Sequence, residues 1–184
     1  MTKDIRISRG ATINIKGSAE KILTDITSVR SCAIKPENFF NFTPKMLVKE
    51  GAKVSIGTPI CFEKNDSRII FVSPISGTLS KIIRGDRRKI LEIVIEPDSS
   101  NKKISHKVEN TDSLSPEKIK KFLLKTGSWP FIRQRPFNVL ADPDIIPKAI
   151  HISAISSAPL GVDYDFILKN NKKDFQSGIN ILNT

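Results

Sequence analysis

The sequence predicts an α+β, or mixed, chain, with strands filling the first hundred residues and an α/β arrangement after about residue 113. Three observations carry this. β-branched residues alternate with polar ones in short runs up to Pro97, and a capped amphipathic helix opens at Ser115. An apolar run, a loop and a helical segment then follow in that order to the end of the chain.

Strands are expected at Ile5 to Ile7, Ala11 to Ile15 with Ile13 and Ile15 on one face, Arg68 to Val72, and Ile90 to Ile95. Gly10, Gly17, Gly51, Gly57, Gly77 and Gly85 punctuate these runs, as tight turns require. Residues 98–112 read as a polar connection that still holds a short strand at Ile104 to Val108. Ser115-Pro116-Glu117 supplies an N-cap, a proline at the first helical position and an acid that complements the dipole. Ile119, Phe122 and Leu123 then share one face, Lys118, Lys120, Lys121 and Lys125 take the wet side, and Gly127 ends the helix. Lys148 to Ala154 has strand length and composition, Ser156 to Gly161 is a loop, and Phe166 to Leu182 is helical. Strand, loop and helix make the opening half of a βαβ unit with no returning strand, so the last segment reads as the start of a larger domain or as a remnant that packs on the first.

Composition narrows the class. The 184 residues are 39% hydrophobic and 27% charged, which fits a globular chain, and no run of roughly 18 apolar residues could span a bilayer. The net charge is +11, shared as +3 over residues 1–42, +3 over 43–98, +4 over 99–126 and +1 over 127–184. No helix-turn-helix spacing, aromatic RNA-stacking signature or zinc ligand pairs accompany it, so no nucleic-acid partner is expected. A solvated basic surface, anionic lipid and an acidic partner subunit remain as readings. Cys32 and Cys61 sit among apolar neighbours and are expected as buried free thiols. With two histidines, His106 and His151, and no Cys-x-x-Cys, neither a metal site nor a haem attachment is expected. The opening MTKDIRISRG lacks an apolar signal core, which points to a reducing cytosol.

The stretch Lys45 to Lys81 is the most specific. Val48, Gly51, Val54 and Gly57 repeat a V-x-x-G pattern; Ile60-Cys61-Phe62-Glu63 follows, and later Ser73-Pro74-Ile75-Ser76-Gly77. This resembles the biotinyl/lipoyl carrier fold, a flattened β barrel-sandwich in which a strand ending in Glu leads to an exposed hairpin and then a Pro-x-x-Gly turn. In that fold the acceptor lysine stands three residues after Glu and eight before Pro. Here that place is Asp66, whose carboxylate cannot form the amide that holds lipoate or biotin, and Lys64 lies two positions away. No covalent cofactor is therefore expected.

Further segments extend the resemblance. They are Arg9-Gly10-Ala11 with Ile15-Lys16-Gly17, Arg84-Gly85-Asp86-Arg87-Arg88 before ILEIVIE, Gly127-Ser128-Trp129-Pro130-Phe131-Ile132-Arg133-Gln134-Arg135-Pro136-Phe137, and Pro147 to Leu160. In this order they are similar to the N-terminal portion of the A-subunit family of sodium-translocating NADH:quinone reductases. Members are longer, so the chain reads as a fragment or a shortened relative. The resemblance implies a barrel-sandwich hybrid over residues 1–112, with its lipoyl-like core at about 43–97. It implies a helix plus a partial Rossmann-like α/β domain over residues 113–184.

It also implies a peripheral subunit on the cytoplasmic side of the bacterial inner membrane, serving NADH oxidation, ubiquinone reduction and sodium export. Its partners would be the other subunits of the complex, above all the membrane-embedded quinone-reductase subunit; flavins and iron–sulfur centres would sit on those partners, and the isolated chain would not be catalytic. Two alternatives stay open: a free-standing lipoyl- or biotinyl-type module, and the C-type member of the related electron-transport complex. The nucleotide-binding relatives carry a glycine-rich loop where this chain has Gly127 to Arg133, with one glycine and bulky rings, so the phosphate cradle is not expected. Trp129, Phe131 and Phe137 offer flat apolar surfaces instead, and Arg133 and Arg135 offer donors to a quinone carbonyl or a partner carboxylate. The plainer reading packs Trp129 and Phe137 internally and pairs the arginines with Asp142 or Asp144. Arg84, Arg87 and Arg88 are either a solvated hairpin turn or a subunit or lipid contact.

Overall fold

A computed structural model describes residues 10, 15–17, 20–25, 28–107, 114–158 and 160–183. The expected strands at Ile5 to Ile7 and over most of Ala11 to Ile15 lie outside the described residues. The chain forms two compact units, one of residues 26–148 with 183–184, the other of residues 1–25 with 149–182.

The larger unit holds β1 (Cys32–Ile34), β2 (Pro44–Met46), β3 (Lys53–Val54), β4 (Pro59–Glu63), β5 (Asp66–Val72), β6 (Gly77–Arg84) and β7 (Ile90–Pro97). They assemble as a sheet in the order β1-β7-β6-β3 and a second in the order β2-β4-β5, and every described pairing among them is antiparallel. Alternation puts Ile60, Ile69 and Phe71 from one sheet and Leu79, Ile93 and Ile95 from the other into a single core. Ile60, Leu79, Ile93 and Ile95 are fully buried, each contributing roughly 1.5–3 kcal/mol by leaving water. The V-x-x-G repeat is explained at its glycines: Gly51 and Gly57 have φ of 83° and 87°, in turns where a Cβ would be strained. Val54 faces the core between them.

Cys61 lies at 0% exposure in this core, whereas Cys32 at the sheet edge is only half-buried, and both are free. Burial first, and the nearby Glu63 carboxylate second, push the Cys61 thiol up to about 12. Its contribution to stability is therefore complete below the unfolded thiol's ordinary value of 9.0 and is lost as pH rises from there through the folded value. In urea titrations between pH 9 and 12, the wild type should lose about 1.4 kcal/mol per pH unit more than Cys61→Ala. Equal slopes for the two proteins would contradict the buried thiol.

α1 (Pro116–Thr126) starts and stops where the sequence predicts. The Ser115 hydroxyl accepts from the Lys118 N–H, and Gly127, at φ 73°, closes the helix with its N–H on the Leu123 and Leu124 carbonyls. Ile119 is buried, and Leu123 and Leu124 pack on the barrel core. Lys120 is not simply wet: its Nζ donates to the Pro143 carbonyl at 2.9 Å. A 3-10 turn (Trp129–Phe131) follows, then the hairpin of β8 (Arg133–Gln134) and β9 (Val139–Leu140).

The smaller unit holds α2 (Tyr164–Ile167), N-capped by Asp163, and α3 (Lys172–Leu182). Two expectations are corrected here. Lys148 to Ala154 forms no strand and is exposed throughout; among the described residues no neighbouring strand pairs its backbone. The predicted continuous helix from Phe166 to Leu182 is broken at residues 168–171, where the Asn170-Asn171 pair has low helix propensity. Ile104 to Lys107 is likewise no strand; a parallel bridge joins Lys103 to Ile56, the Ile104 N–H donates to the Ile56 carbonyl at 2.9 Å, and Val108 lies outside the described residues. Among the described residues no helix is long and apolar enough to cross a membrane.

Candidate functional site

The predicted segment 129–137 is built on a floor of aromatic rings. Phe42 stacks on Phe71 with centroids 4.2 Å apart, and Phe39 meets Phe71 edge-on at 4.7 Å. Phe42 and Phe71 belong to the core, while Phe39 caps the cluster near the surface. Phe39 and Phe42 come from the loop after the 3-10 turn Pro36–Asn38, and Phe71 from β5.

Arg133 lies over this floor. Its guanidinium carbon stands 4.5 Å above the Phe39 centroid, and Nη2 donates to the Asn38 carbonyl at 3.1 Å. Nη1 is buried with no hydrogen-bond partner among the described residues, and burial lowers the pKa of the group from the ordinary guanidinium value. The ring face compensates part of that desolvation. Phe131 reaches the same ring edge-on at 6.4 Å yet is 77% exposed. Phe39, Asn38 and Arg133 therefore meet across 95 positions of sequence.

Trp129 does not join this surface. It is buried in the barrel core, and its Nε1–H donates to the Ala141 carbonyl at 2.8 Å, tying the 3-10 turn to the strand end after β9. Of the two readings of Trp129, this burial and this hydrogen bond favour the packed one. Arg135 and Phe137 stand in the tip between β8 and β9, where the Arg135-Pro136 peptide bond is cis; Phe137 is 75% exposed and packs nowhere in the core, against the plainer sequence reading.

The acids expected to pair with Arg133 and Arg135 are engaged elsewhere. Asp144 accepts two bonds from Arg68, at 2.8 and 2.7 Å, and Asp66 takes the other side of the same guanidinium at 2.7 to 3.2 Å. Those bonds hold both carboxyls below the usual carboxylate range. Asp142 accepts from the Asp144 N–H. Asp66, the residue in the carrier lysine's place, is thus one end of a clamp from β5 to the loop after β9. The apex of the β4–β5 hairpin is Lys64-Asn65, and Lys64 is exposed there. Glu63 is buried and accepts from the Thr43 and Asn65 N–H groups at 2.7 and 3.1 Å, which holds the hairpin's base. That explains the strand-ending Glu of the motif.

Sequence reasoning missed Phe39, Phe42, Phe71 and Asn38. The dense run Phe39-Phe40-Asn41-Phe42 was the available signal.

Comparison with known proteins agrees with this architecture. Residues 5–98 match the family described as NqrA N-terminal barrel-sandwich hybrid domain, and residues 114–184 the one described as NqrA second alpha/beta domain. Similar curated relatives are named as the A subunit of the Na(+)-translocating NADH-quinone reductase. The protein from Yersinia pseudotuberculosis serotype O:1b (strain IP 31758) is 32% identical over 180 residues, covering 97% of this chain and 40% of the relative. Those from Actinobacillus pleuropneumoniae serotype 5b (strain L20) and Glaesserella parasuis serovar 5 (strain SH0165) are 31% and 28% identical at the same coverage. The chain spans 40% of the length of these relatives. Two matched domains in one order, with the V-x-x-G barrel and the Trp129-anchored segment in place, make the chain a member of the NqrA family.

Proposed function

We propose that the chain serves as the A subunit, in whole or part, of a sodium-translocating NADH:quinone reductase, a translocase that couples NADH oxidation and ubiquinone reduction to sodium export. It sits peripherally on the cytoplasmic side of the inner membrane, beside the membrane-embedded quinone-reductase subunit. Flavins and iron–sulfur centres reside on the partner subunits. The observation that supports this best is the similarity to NqrA relatives along 97% of the chain.

Within that assembly, the face made by Phe131, Arg133, Arg135 and Phe137 is the contact for a quinone headgroup or the neighbouring subunit. Exposed rings supply flat apolar area, and the guanidinium held over Phe39 supplies a donor at a fixed position. Membranes carrying the assembled reductase test the two roles. Phe131→Ser with Arg133→Ala should raise KM for quinone about tenfold or more with the complex still assembled, or else release the chain from the membranes. An unchanged KM on an intact complex would reject the assignment of this face.

The exposed apex position of Lys64 gives the free-standing carrier a specific observation in its favour. Intact mass separates the readings. An unmodified chain of 20.5 kDa is expected, and a lipoate or biotin adduct would favour the carrier.

A further inference from the structure

The turn between β6 and β7 pairs an unusual backbone with an unusual charge. Gly85 N–H bonds the Lys89 carbonyl at 2.8 Å and Lys89 N–H bonds the Asp86 carbonyl at 3.1 Å, so Arg87 and Arg88 occupy the two central positions. Both are left-handed, with φ of 53° and 62°. A turn with two consecutive positive φ values is of the type I′ kind, for which Asn-Gly is the favoured pair and a long side chain costs stability at each place. Two arginines stand where the fold is best served by neither.

Backbone strain kept at an exposed apex directs attention to what the side chains do there. Lys81, Arg84, Arg87, Arg88 and Lys89 put five cations against one carboxylate, Asp86, within nine residues, a net +4. All five are exposed, and among the described residues none is in an ion pair. The spread of charge along the chain conceals this local concentration. Arg84 also donates from Nη1 to the Arg88 carbonyl at 3.1 Å, which fixes the turn on its stem. Apolar surface lies alongside. Ile83 is 41% exposed on the stem, and a groove of about 420 Å³ is lined by Met46, Val48, Ile82, Lys49, Glu50 and Arg84.

We propose that the β6–β7 hairpin is a docking finger for the anionic headgroup surface of a lipid bilayer. Guanidinium groups at the tip meet headgroup phosphates, and the neighbouring aliphatic side chains meet the layer just below. A convex turn offers a folded protein little of the 1,200–2,000 Å² that a stable interface buries, whereas a fluid headgroup layer moulds around it. The inference does not depend on membership of a respiratory complex.

Co-sedimentation of the 184-residue chain with phosphatidylcholine vesicles, with and without about 30% phosphatidylglycerol, tests it at low and physiological salt. Binding is expected only to the anionic vesicles and should weaken with salt. Arg87→Asn with Arg88→Gly should lower vesicle affinity roughly thirtyfold, while the relaxed turn raises Tm by about 2 to 4 °C, so lost binding cannot be unfolding. Arg87→Lys with Arg88→Lys should keep the affinity. Removing two cations elsewhere, by Lys121→Gln with Lys125→Gln on α1, should change it less than threefold. The proposal is overturned if the wild type ignores anionic vesicles, if the Asn-Gly variant binds as well as the wild type, or if the α1 variant loses as much. Capture of an acidic peptide such as polyglutamate without any vesicle binding would assign the finger to a protein partner instead.

Discussion

Gly77→Ala should leave the barrel-sandwich unit unfolded or close to it. Gly77 is the glycine of the Pro-x-x-Gly turn and opens β6, paired directly with Pro97 at the end of β7. A Cβ there would lie 1.9 Å from the Glu96 carbonyl oxygen, 2.8 Å from the Glu96 carbonyl carbon and 3.0 Å from the Pro97 Cα. All three atoms are backbone of the facing strand, so no side chain can swing away. Relief requires β6 and β7 to part where Leu79, Ile93 and Ile95 join the core. The cost is about 3 to 5 kcal/mol, a large share of the roughly 5 to 15 kcal/mol that holds a domain folded. Gly178→Ala is the matched control, because nothing lies within 4 Å of a Cβ at that site in α3. It should be stabilising by about 0.5 to 1 kcal/mol. Urea unfolding followed by circular dichroism reads both, and a Gly77→Ala midpoint within error of wild type would show that the strands do not approach as described.

Trp129→Ala should cost about 3 to 5 kcal/mol, the range for removing a large aromatic side chain from a core. The loss has two parts. The ring fills space against the barrel core, and Nε1–H satisfies the Ala141 carbonyl. Trp129→Phe keeps most of the first and forfeits the second, so about 1 to 2 kcal/mol is expected. The pair separates a scaffold from a contact residue. If Trp129 touched quinone directly, Trp129→Phe would change quinone affinity while leaving the urea midpoint alone; the opposite pattern is expected here.

Features set by a few adjacent residues were legible in the sequence. Ser115 and Gly127 bound α1 as predicted because capping is decided within one helical turn. The V-x-x-G repeat announced the barrel because positive φ at Gly51 and Gly57 is a local demand. The missing strand at Lys148 to Ala154 is the converse case. Its residues suit a strand, but a strand exists only with a partner to bond.

The candidate site lies between these extremes. Trp129, Phe131, Arg133, Arg135 and Phe137 could be nominated from their chemistry, yet which would be buried could not. Phe39 receives Arg133 from far along the chain, and Arg68 rather than Arg133 or Arg135 takes Asp144. Such pairings are written in the fold, where several arginines and several acids of equal local merit compete. The type I′ turn at Arg87 and Arg88 was hidden for a different reason, since its residues are among the least expected for that geometry.

Trp129 is the only tryptophan, and it is held next to the proposed face by the 3-10 turn that also carries Phe131. Its fluorescence, titrated with a short-chain ubiquinone and corrected for quinone absorbance, reports on that face without disturbing it. Saturable quenching is the predicted result, lost in Phe131→Ser with Arg133→Ala under conditions where urea unfolding shows the variant still folded. Quenching that rises linearly with quinone and is equal in the two proteins would contradict quinone contact at residues 129–137.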